Sequence, residues 1–255
     1  MRRPRVIPIL CLDSIGELIS TVSFDTSTYI GDPLNAISIF NSYNVDELGL
    51  IDIYASRQCR SFNFQLLKNI SDECKTPLFA GGGVSSLNDI EKILKNGAEK
   101  VVLSSSVIKN PKFLEEAAKE FGTSSLIVCL DCINSSNGEY KILDTSRFLV
   151  TEYELNSFIL KLQDYGLGEC IIQSVHNDGL MCGYDRKLLE TALAGTKIPI
   201  IALGGCSSFT EICKLNQIYK ISAFASGSIF CFYNAQREVL LNYPQLNELR
   251  SLMIQ

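Results

Sequence analysis

The chain has no tryptophan, only one histidine and no excess of positive charge among its 255 residues. No apolar run approaches the length of a membrane span, and the start, MRRPRVIPIL, has no secretory-type cleavage site. The net charge of −5 excludes a general nucleic-acid-binding surface. These absences predict a cytoplasmic protein that binds neither membranes nor nucleic acid.

Ten cysteines are scattered along the chain, most of them in apolar runs, where cysteine is a small core residue. Without an export signal we expect them to stay reduced. Cys129 and Cys132 form a C-x-x-C, but in a strand they would face opposite sides, and His176 is the only histidine available to complete a site. The sequence therefore predicts no metal and no cofactor.

Short β-rich runs alternate with helical patterns from one end of the chain to the other. Eight such runs in about 250 residues match a (β/α)8 barrel, with an open doubly wound sheet as the alternative. We predict one barrel domain over residues 1–255. The eight runs lie at 5–12, 47–53, 77–80, 100–105, 125–131, 169–175, 199–203 and 221–226.

Helix starts can be placed from capping residues. Asp32, followed by a proline, is a predicted N-cap, and the asparagine that opens 110–122 is another; that segment ends at a glycine. A third helix is predicted to open at Thr151, with Glu154 completing a capping box. The longest connection, 133–150, has room for a small hairpin.

The sequence repeats itself at an offset of 122 positions. PLFAGGGVSSL at 77–87 matches PIIALGGCSS at 199–208, and LSSSVI at 103–108 matches ASGSIF at 225–230. DELGLID at 46–52 lies at the same offset from GECIIQS. Several segments in order at one offset indicate an internal duplication, so the barrel is predicted to consist of two half-barrels.

The repeated glycines and serines follow the third, fourth, seventh and eighth predicted strands. In a barrel of this kind the loops after the strands form the active face. Bare backbone N–H groups, hydroxyls and helix N-termini can hold a phosphate without a lysine. Two such loops at opposite sides of one mouth suit a ligand with a phosphate at each end; the alternative is that the glycines only turn tight corners.

Further motifs give the chain a family resemblance. RVIP, GDP, DEL, GAEKV, the aspartate of LIVCLD, and NDG followed by GYD resemble the HisF family, the cyclase subunit of imidazole glycerol phosphate synthase, nearly end to end. GDPLNAISIFN and FASGSIF are most similar to HisF-like proteins encoded with surface-polysaccharide genes. The resemblance implies a HisH-like glutaminase partner and, in that subset, a sugar amidotransferase that makes an acetamidino group.

The resemblance also implies which residues bind a phosphorylated small molecule. Asp52 and Asp178 match binding aspartates near the strand ends, and His176 stands where the family has an aspartate. The implied phosphate-binding residues, together with the glycines that precede two of them, are Gly82, Gly83, Ser104, Ser105, Gly179, Gly204, Gly205, Ser226 and Gly227.

The family's cyclase uses two aspartates at the mouth, one on strand one and one on strand five, as general acid and base. Asp131 matches the second. On strand one the family reads Pro-x-x-Asp, which here becomes Pro8 to Cys11, and the next aspartate is Asp13, about 7 Å higher along an ideal strand. Either a bulge returns Asp13 to the catalytic place, or it is a loop carboxylate and the place belongs to Cys11.

By the same resemblance, four charged residues at strand starts form the gate of an ammonia passage through the barrel. They are Arg5, Glu47, Lys100 and Glu169, and Glu99 would lie on the face that docks the glutaminase. The alternative is a salt-bridge plug that only seals the barrel, because bottom-face residues usually serve stability.

Two functions follow. In one, the chain is a HisF-like lyase or cyclase that, as the resemblance implies, makes an imidazole from a bis-phosphorylated ribulose compound and ammonia in histidine biosynthesis. In the other, it is the ammonia-receiving subunit of a glutamine amidotransferase complex in lipopolysaccharide biosynthesis, with its own cyclase chemistry decayed. The complete gate and the altered strand-one acid favour the second.

Overall fold

The computed structural model describes residues 3–135, 137–233 and 236–251. The strands within these residues are β1 (Arg5–Leu12), β2 (Leu18–Val22), β3 (Thr26–Gly31), β4 (Leu48–Asp52), β5 (Leu78–Gly81), β6 (Lys100–Leu103), β7 (Leu126–Asn134), β8 (Tyr140–Asp144), β9 (Leu149–Glu154), β10 (Glu169–Ser174), β11 (Ile200–Leu203) and β12 (Ala223–Ser226).

Helices occupy the connections between the strands. They are α1 (Pro33–Tyr43), α2 (Phe64–Glu73), α3 (Leu87–Lys95), α4 (Ser105–Lys109), α5 (Lys112–Phe121), α6 (Leu155–Asp164), α7 (Arg186–Leu193), α8 (Phe209–Ile218), α9 (Ser228–Cys231) and α10 (Leu246–Ser251), with a 3-10 turn at Thr123–Ser125.

Eight of the strands pair in parallel to form a closed barrel. The order runs β1, β4, β5, β6, β7, β10, β11, β12 and back to β1. The (β/α)8 prediction is confirmed, and each of the eight predicted runs overlaps one barrel strand, although β5 and β7 extend beyond the predicted ends. All eight carboxyl ends therefore open at one face, the mouth, and all eight amino ends meet at the other face, the bottom.

Each half of the barrel carries an antiparallel hairpin at the same place. In the first half, β2 and β3 extend β1, and Leu12 pairs with Leu18. In the second half, β8 and β9 extend β7, and Asn134 pairs with Tyr140. Asn134 and Tyr140 lie 122 positions after Leu12 and Leu18, respectively. The predicted hairpin in 133–150 is confirmed among its described residues, and Ser136 lies outside them.

Local capping is partly as predicted. The side chain of Asp32 accepts a hydrogen bond from the Asn35 N–H at 2.9 Å and opens α1. The prediction for Thr151 is wrong, because this residue belongs to β9; Glu154 is itself the N-cap of α6. α5 begins one residue later than predicted, with Pro111 as its N-cap.

The contacts of the paired glycines repeat the 122-residue offset and explain why a side chain is excluded. A Cβ on Gly82 would lie 2.2 Å from the backbone oxygen of Asp52, and a Cβ on Gly204 would lie 2.6 Å from that of Ser174. Since Asp52 and Ser174 are also 122 positions apart, the two halves fold alike down to this close approach.

Apolar side chains fill the barrel in two layers. Ile7, Phe79, Ile127 and Ile171 belong to the inner layer between the bottom and the mouth, and the larger outer layer lies between the strands and the helices. Among the described residues, no helix has the length and apolar character that crossing a bilayer requires. All ten cysteines are described, and no disulfide joins any two of them.

Candidate functional site

A cavity lies at the mouth, where the strand ends and the loops that follow them meet. The structure brings most of the predicted site residues together there. Those that line it are Asp52, Gly82, Gly83, Ser104, Ser105, Asp131, Asp178, Gly179, Gly204, Gly205, Ser226 and Gly227. Asp13 and His176 are not among its lining residues.

Two carboxyl groups with raised pKa values, the buried Asp131 and the half-buried Asp178, dominate the chemistry of the cavity. Burial, with a further contribution from the charge of Asp178, raises the pKa of Asp131 to about 7. Burial also raises the pKa of Asp178 to about 6, while hydrogen bonds from Gln173 at 3.2 Å and Thr21 at 3.3 Å hold its carboxylate. Near neutral pH Asp131 can therefore either donate or accept a proton.

The strand register identifies the counterpart of Asp131 in the first half of the barrel. Asp131 pairs with Gln173 on β10, and Cys11 pairs with Ile51 on β4. Ile51 and Gln173 are 122 positions apart, so Cys11 occupies in the first half the place that Asp131 occupies in the second. Burial raises the pKa of the Cys11 thiol, so this group stays protonated at neutral pH and cannot act as a base.

Asp13 has a different task. One of its carboxylate oxygens accepts hydrogen bonds from the backbone N–H groups of Ile15, Gly16 and Glu17, each at 2.9 Å. These contacts close the turn between β1 and β2, above the strand. No bulge in β1 returns Asp13 to the level of Cys11, whose pairing with Ile51 continues without a break to Leu12.

The first predicted phosphate loop presents hydroxyl groups that lack partners. Ser104 Oγ and Ser106 Oγ are buried and, among the described residues, neither makes a hydrogen bond. Both lie at the start of α4, where the first N–H groups of a helix have no intrahelical acceptor. Gly83 has φ of +70°, and its N–H donates to Ser56 Oγ at 3.1 Å, so an anion here would replace that hydroxyl.

The second predicted loop combines Gly205, Ser226 and Gly227, the last of which is the N-cap of α9. A Cβ on Gly205 would lie 2.3 Å from the Gly183 backbone oxygen. The guanidinium of Arg237 donates to the backbone oxygen of the neighbouring Gly179. The two loops stand at equivalent positions of the two half-barrels, one on each side of the mouth.

Asp52 is committed to hydrogen bonds within the protein, and His176 lies outside the cavity lining. The Asp52 carboxylate accepts two hydrogen bonds from Arg60, one of them at 2.9 Å, and a further one from the Ala55 N–H at 2.9 Å. His176 is exposed, and its backbone oxygen accepts a weak hydrogen bond from Ser23 Oγ.

The four predicted gate residues form a closed ring of ion pairs at the bottom of the barrel. Arg5 donates to both Glu47 and Glu169, and Lys100 Nζ lies 3.0 Å from a carboxylate oxygen of each. Both glutamates are buried. Each charge is thereby compensated, and the ring separates the apolar interior from the bottom surface.

Cys129 and Cys132 face opposite sides of β7, as predicted: the first packs in the inner layer and the second in the outer. In the part of the chain that the structure describes, no group of three or more histidine, cysteine or acidic side chains has the arrangement of a metal site.

Gln173 and Arg57 are the most important of the cavity residues that sequence reasoning did not find. Gln173 lies two residues after the inward-facing Ile171 on β10, so strand periodicity was the available signal. Arg57 lies in the loop after β4 and carries no local signal, although it is the repeat counterpart of the predicted Gly179.

Known proteins resemble the chain over almost its whole length. Residues 5–236 match the family model described as histidine biosynthesis protein. A provisionally named imidazole glycerol phosphate synthase subunit hisF3 of Vibrio vulnificus is 40% identical over 252 residues, which cover 97% of this chain and 95% of that protein.

Two further relatives carry similar names. The provisionally named hisF2 subunit of Pseudomonas aeruginosa PAO1 is 35% identical, over 98% of this chain and 99% of that protein. Imidazole glycerol phosphate synthase subunit HisF of Lactococcus lactis subsp. cremoris SK11 is 33% identical, over 92% of this chain and 91% of that protein.

Proposed function

The chain belongs to the histidine biosynthesis protein family, as one of its HisF members, and from this premise we propose that it is the ammonia-receiving subunit of a glutamine amidotransferase complex. In this proposal a separate HisH-like glutaminase docks on the bottom face around the ring and the exposed Glu99. The ammonia serves the amidination of a nucleotide sugar by a further enzyme, a sugar amidotransferase, in surface-polysaccharide synthesis.

The ring and the interior supply the path. Ammonia is small and neutral, so it can cross an apolar interior that ions cannot enter without a large desolvation cost. The ring must open to admit it. Because Lys100 is held by two carboxylates and its stem is flexible, displacement of this one ammonium would open the ring while Arg5 stays paired with both glutamates.

The mouth supplies a place for a phosphorylated ligand. Hydroxyl and N–H donors at the two loops suit a phosphate at each end of it, and Asp131, with a pKa of about 7, lies between them to move a proton. Cyclisation to an imidazole calls for an acid and a base with divided roles. The observation that carries the proposal is the strand register, by which Cys11 occupies in the first half-barrel the place that Asp131 occupies in the second. The mouth therefore lacks the strand-one carboxylate of a cyclase, while the ring at the bottom is complete.

An active imidazole glycerol phosphate synthase cyclase is the second candidate. One observation favours it: Asp178 is a half-buried carboxyl group in the same cavity, close enough to raise the pKa of Asp131. If Asp178 replaced the missing strand-one aspartate, the two carboxyl groups could divide the acid and base roles between them.

Complex formation tests the proposal. The purified chain and a HisH-like glutaminase from the same organism are mixed at micromolar concentration and separated by gel filtration. We expect one heterodimeric peak, which Glu99→Lys weakens and Glu139→Lys, a matched charge change on an exposed turn of the second hairpin, leaves unchanged. Separate elution of the two wild-type proteins would remove the basis of the conduit.

A further inference from the structure

Arg57 is the one basic side chain among the described residues that line the mouth cavity. The same cavity contains three carboxylates, Asp52, Asp131 and Asp178, of which Asp52 is already neutralised by Arg60. A cavity that binds phosphate dianions beside acidic groups needs a compensating cation, and on the first side of the mouth Arg57 is placed to supply it.

The guanidinium of Arg57 is held in position without using its hydrogen-bonding capacity. Its Cζ lies 3.9 Å from the ring centroid of Phe148 and 6.0 Å from that of Tyr54. Stacking on the face of an aromatic ring leaves the N–H groups pointing outward along the guanidinium edge. Arg57 Nε is buried and makes no hydrogen bond to any described residue. No described carboxylate lies within ion-pair distance of Arg57, and Asp131 is the carboxylate near enough for the two charges to interact. Arg60, three residues on, is instead held by both oxygens of Asp52.

The internal repeat places residue 57 next to the first phosphate loop, and its side chain lines the same cavity as Gly83 and Ser104. Position 57 corresponds to Gly179, a residue of the second loop, at the offset of 122. The residue before it, Ser56, accepts the hydrogen bond from the Gly83 N–H at 3.1 Å. The first loop also contains the unpartnered hydroxyls of Ser104 and Ser106, so several donors there lack an acceptor.

We propose that Arg57 is a substrate-binding residue, whose guanidinium takes the anionic end of the ligand at the loop formed by Gly83 and Ser104. The proposal rests on the function proposed above, in that it assumes a phosphorylated ligand at the mouth. It makes the two phosphate sites unequal. The first binds with a stacked arginine. The second, where the repeat has Gly179, binds with backbone and hydroxyl donors, because the nearby Arg237 donates to the Gly179 backbone oxygen and is not among the residues that line the cavity.

Calorimetric titration with the bis-phosphorylated ribulose compound tests Arg57 directly. A hydrogen bond to a charged group typically contributes enough for a tenfold to hundredfold change in affinity, so we expect Arg57→Leu to weaken binding by at least about tenfold. The affinity of Arg57→Lys should lie between those of the wild type and Arg57→Leu, because an ammonium keeps the charge but cannot stack on a ring and donate along two edges. Arg186→Leu, on the exposed surface of α7, is the matched control and should bind as the wild type does.

Crystals of the Arg57→Leu variant soaked in inorganic phosphate separate the two sites within one molecule. We expect an anion at Gly205 and Ser226 and none at Gly83 and Ser104. Phe148→Leu keeps the charge of Arg57 but removes the ring on which it stacks, so this variant should weaken binding about threefold. It is the substitute test if Arg57→Leu fails to fold.

Two outcomes would overturn the proposal, and they are distinguishable. Equal affinity of Arg57→Leu and Arg186→Leu, with anions at both loops, would remove Arg57 from the site and leave the amidotransferase function intact. Absence of binding by the wild-type protein would remove the phosphorylated ligand itself, and with it both this proposal and that part of the proposed function.

Discussion

Cys11 on the first barrel strand occupies the place that Asp131 occupies on the fifth. Each pairs with the next barrel strand at an equivalent residue, Cys11 with Ile51 and Asp131 with Gln173. The mouth thus has a titratable carboxyl group on one side and a protonated thiol on the other. A chain that keeps the barrel, the loops and the charged ring but lacks one of the two acids is suited to receiving ammonia rather than to closing an imidazole ring.

We therefore expect little or no cyclase activity with the bis-phosphorylated ribulose compound, even with ammonium supplied directly. Cys11→Asp should raise the activity at least tenfold, since a misplacement of even 1 Å can cost about a hundredfold and this change puts a carboxylate at the equivalent place. Steady-state assays of imidazole formation measure it.

Asp13→Asn is the control for this experiment. The amide keeps an oxygen that can accept the N–H groups of the turn, so activity and stability should hardly change. Cyclase turnover in the wild-type protein that Asp13→Asn abolishes would show that Asp13 is the catalytic acid.

The raised pKa of Asp131 predicts how stability depends on pH. Because the folded protein binds this proton more tightly than the unfolded chain, stability falls as the pH rises from the unfolded value, near 4, to about 7. Asp131→Asn removes the cost of burying the charge, so the variant should be more stable than the wild type at pH 8, by a few kcal/mol at most. At pH 4 the two should be alike.

Urea denaturation at pH 4, 6 and 8 measures this difference. Asp178→Asn is informative in the same series, since loss of its charge should lower the pKa of Asp131 and shift the fall in stability to lower pH. A wild-type stability that rises from pH 4 to pH 7 while Asp131→Asn stays flat would contradict the assignment.

The ring should respond strongly to the loss of one member. Lys100→Met leaves Glu47 and Glu169 buried with only Arg5 between them, so we expect a loss of about 2–3 kcal/mol in the free energy of unfolding. Lys95→Met breaks an exposed pair with Glu91 and should cost less than about 0.5 kcal/mol. Equal effects of the two substitutions would mean that the ring is no more than a surface feature.

The glycines of the loops are predicted to tolerate no side chain. Gly205→Ala places a Cβ 2.3 Å from a backbone oxygen at φ of +92°, and we expect it to lower stability by about 2–4 kcal/mol and to abolish anion binding at the second loop. Gly195→Ala has a similar φ of +75° but open space around the Cβ, so only the backbone strain of about 1 kcal/mol applies. Thermal unfolding with and without phosphate distinguishes them.

Strand patterns and the 122-residue repeat were sufficient to predict the barrel and its two glycine and serine loops, whereas Asp52, Asp178, Gly179 and the charged ring were predicted from the family resemblance. The hairpin of β2 and β3 was missed, although it lies 122 positions before β8 and β9, whose segment was predicted to hold a hairpin. The helix start at Thr151 was wrong because pairing of β9 with β8 outweighs the capping preference of the local sequence.

The relation between Cys11 and Asp131 could not be settled from sequence. Where β1 and β7 pair with their hairpins, equivalent residues of the two strands are 122 positions apart. Where they pair with the next barrel strand, equivalent residues are only 120 positions apart. The difference arises because β7 has two more residues than β1 between its barrel pairing and its hairpin turn. Only the register of neighbouring strands shows which residue faces the cavity at the level of Asp131. Arg57 was missed for a similar reason, since its stacking partner Phe148 is 91 positions away.

Glutamine hydrolysis by the partner is the most direct measurement of the proposed role. Turnover of a purified HisH-like glutaminase is assayed alone, with this chain, and with this chain and the bis-phosphorylated ribulose compound. We predict that the chain raises glutamine turnover at least tenfold, and that Glu99→Lys on the docking face reduces the increase. Turnover that stays the same at micromolar concentrations of this chain, with the ligand present, would contradict its role as the receiver of glutamine-derived ammonia.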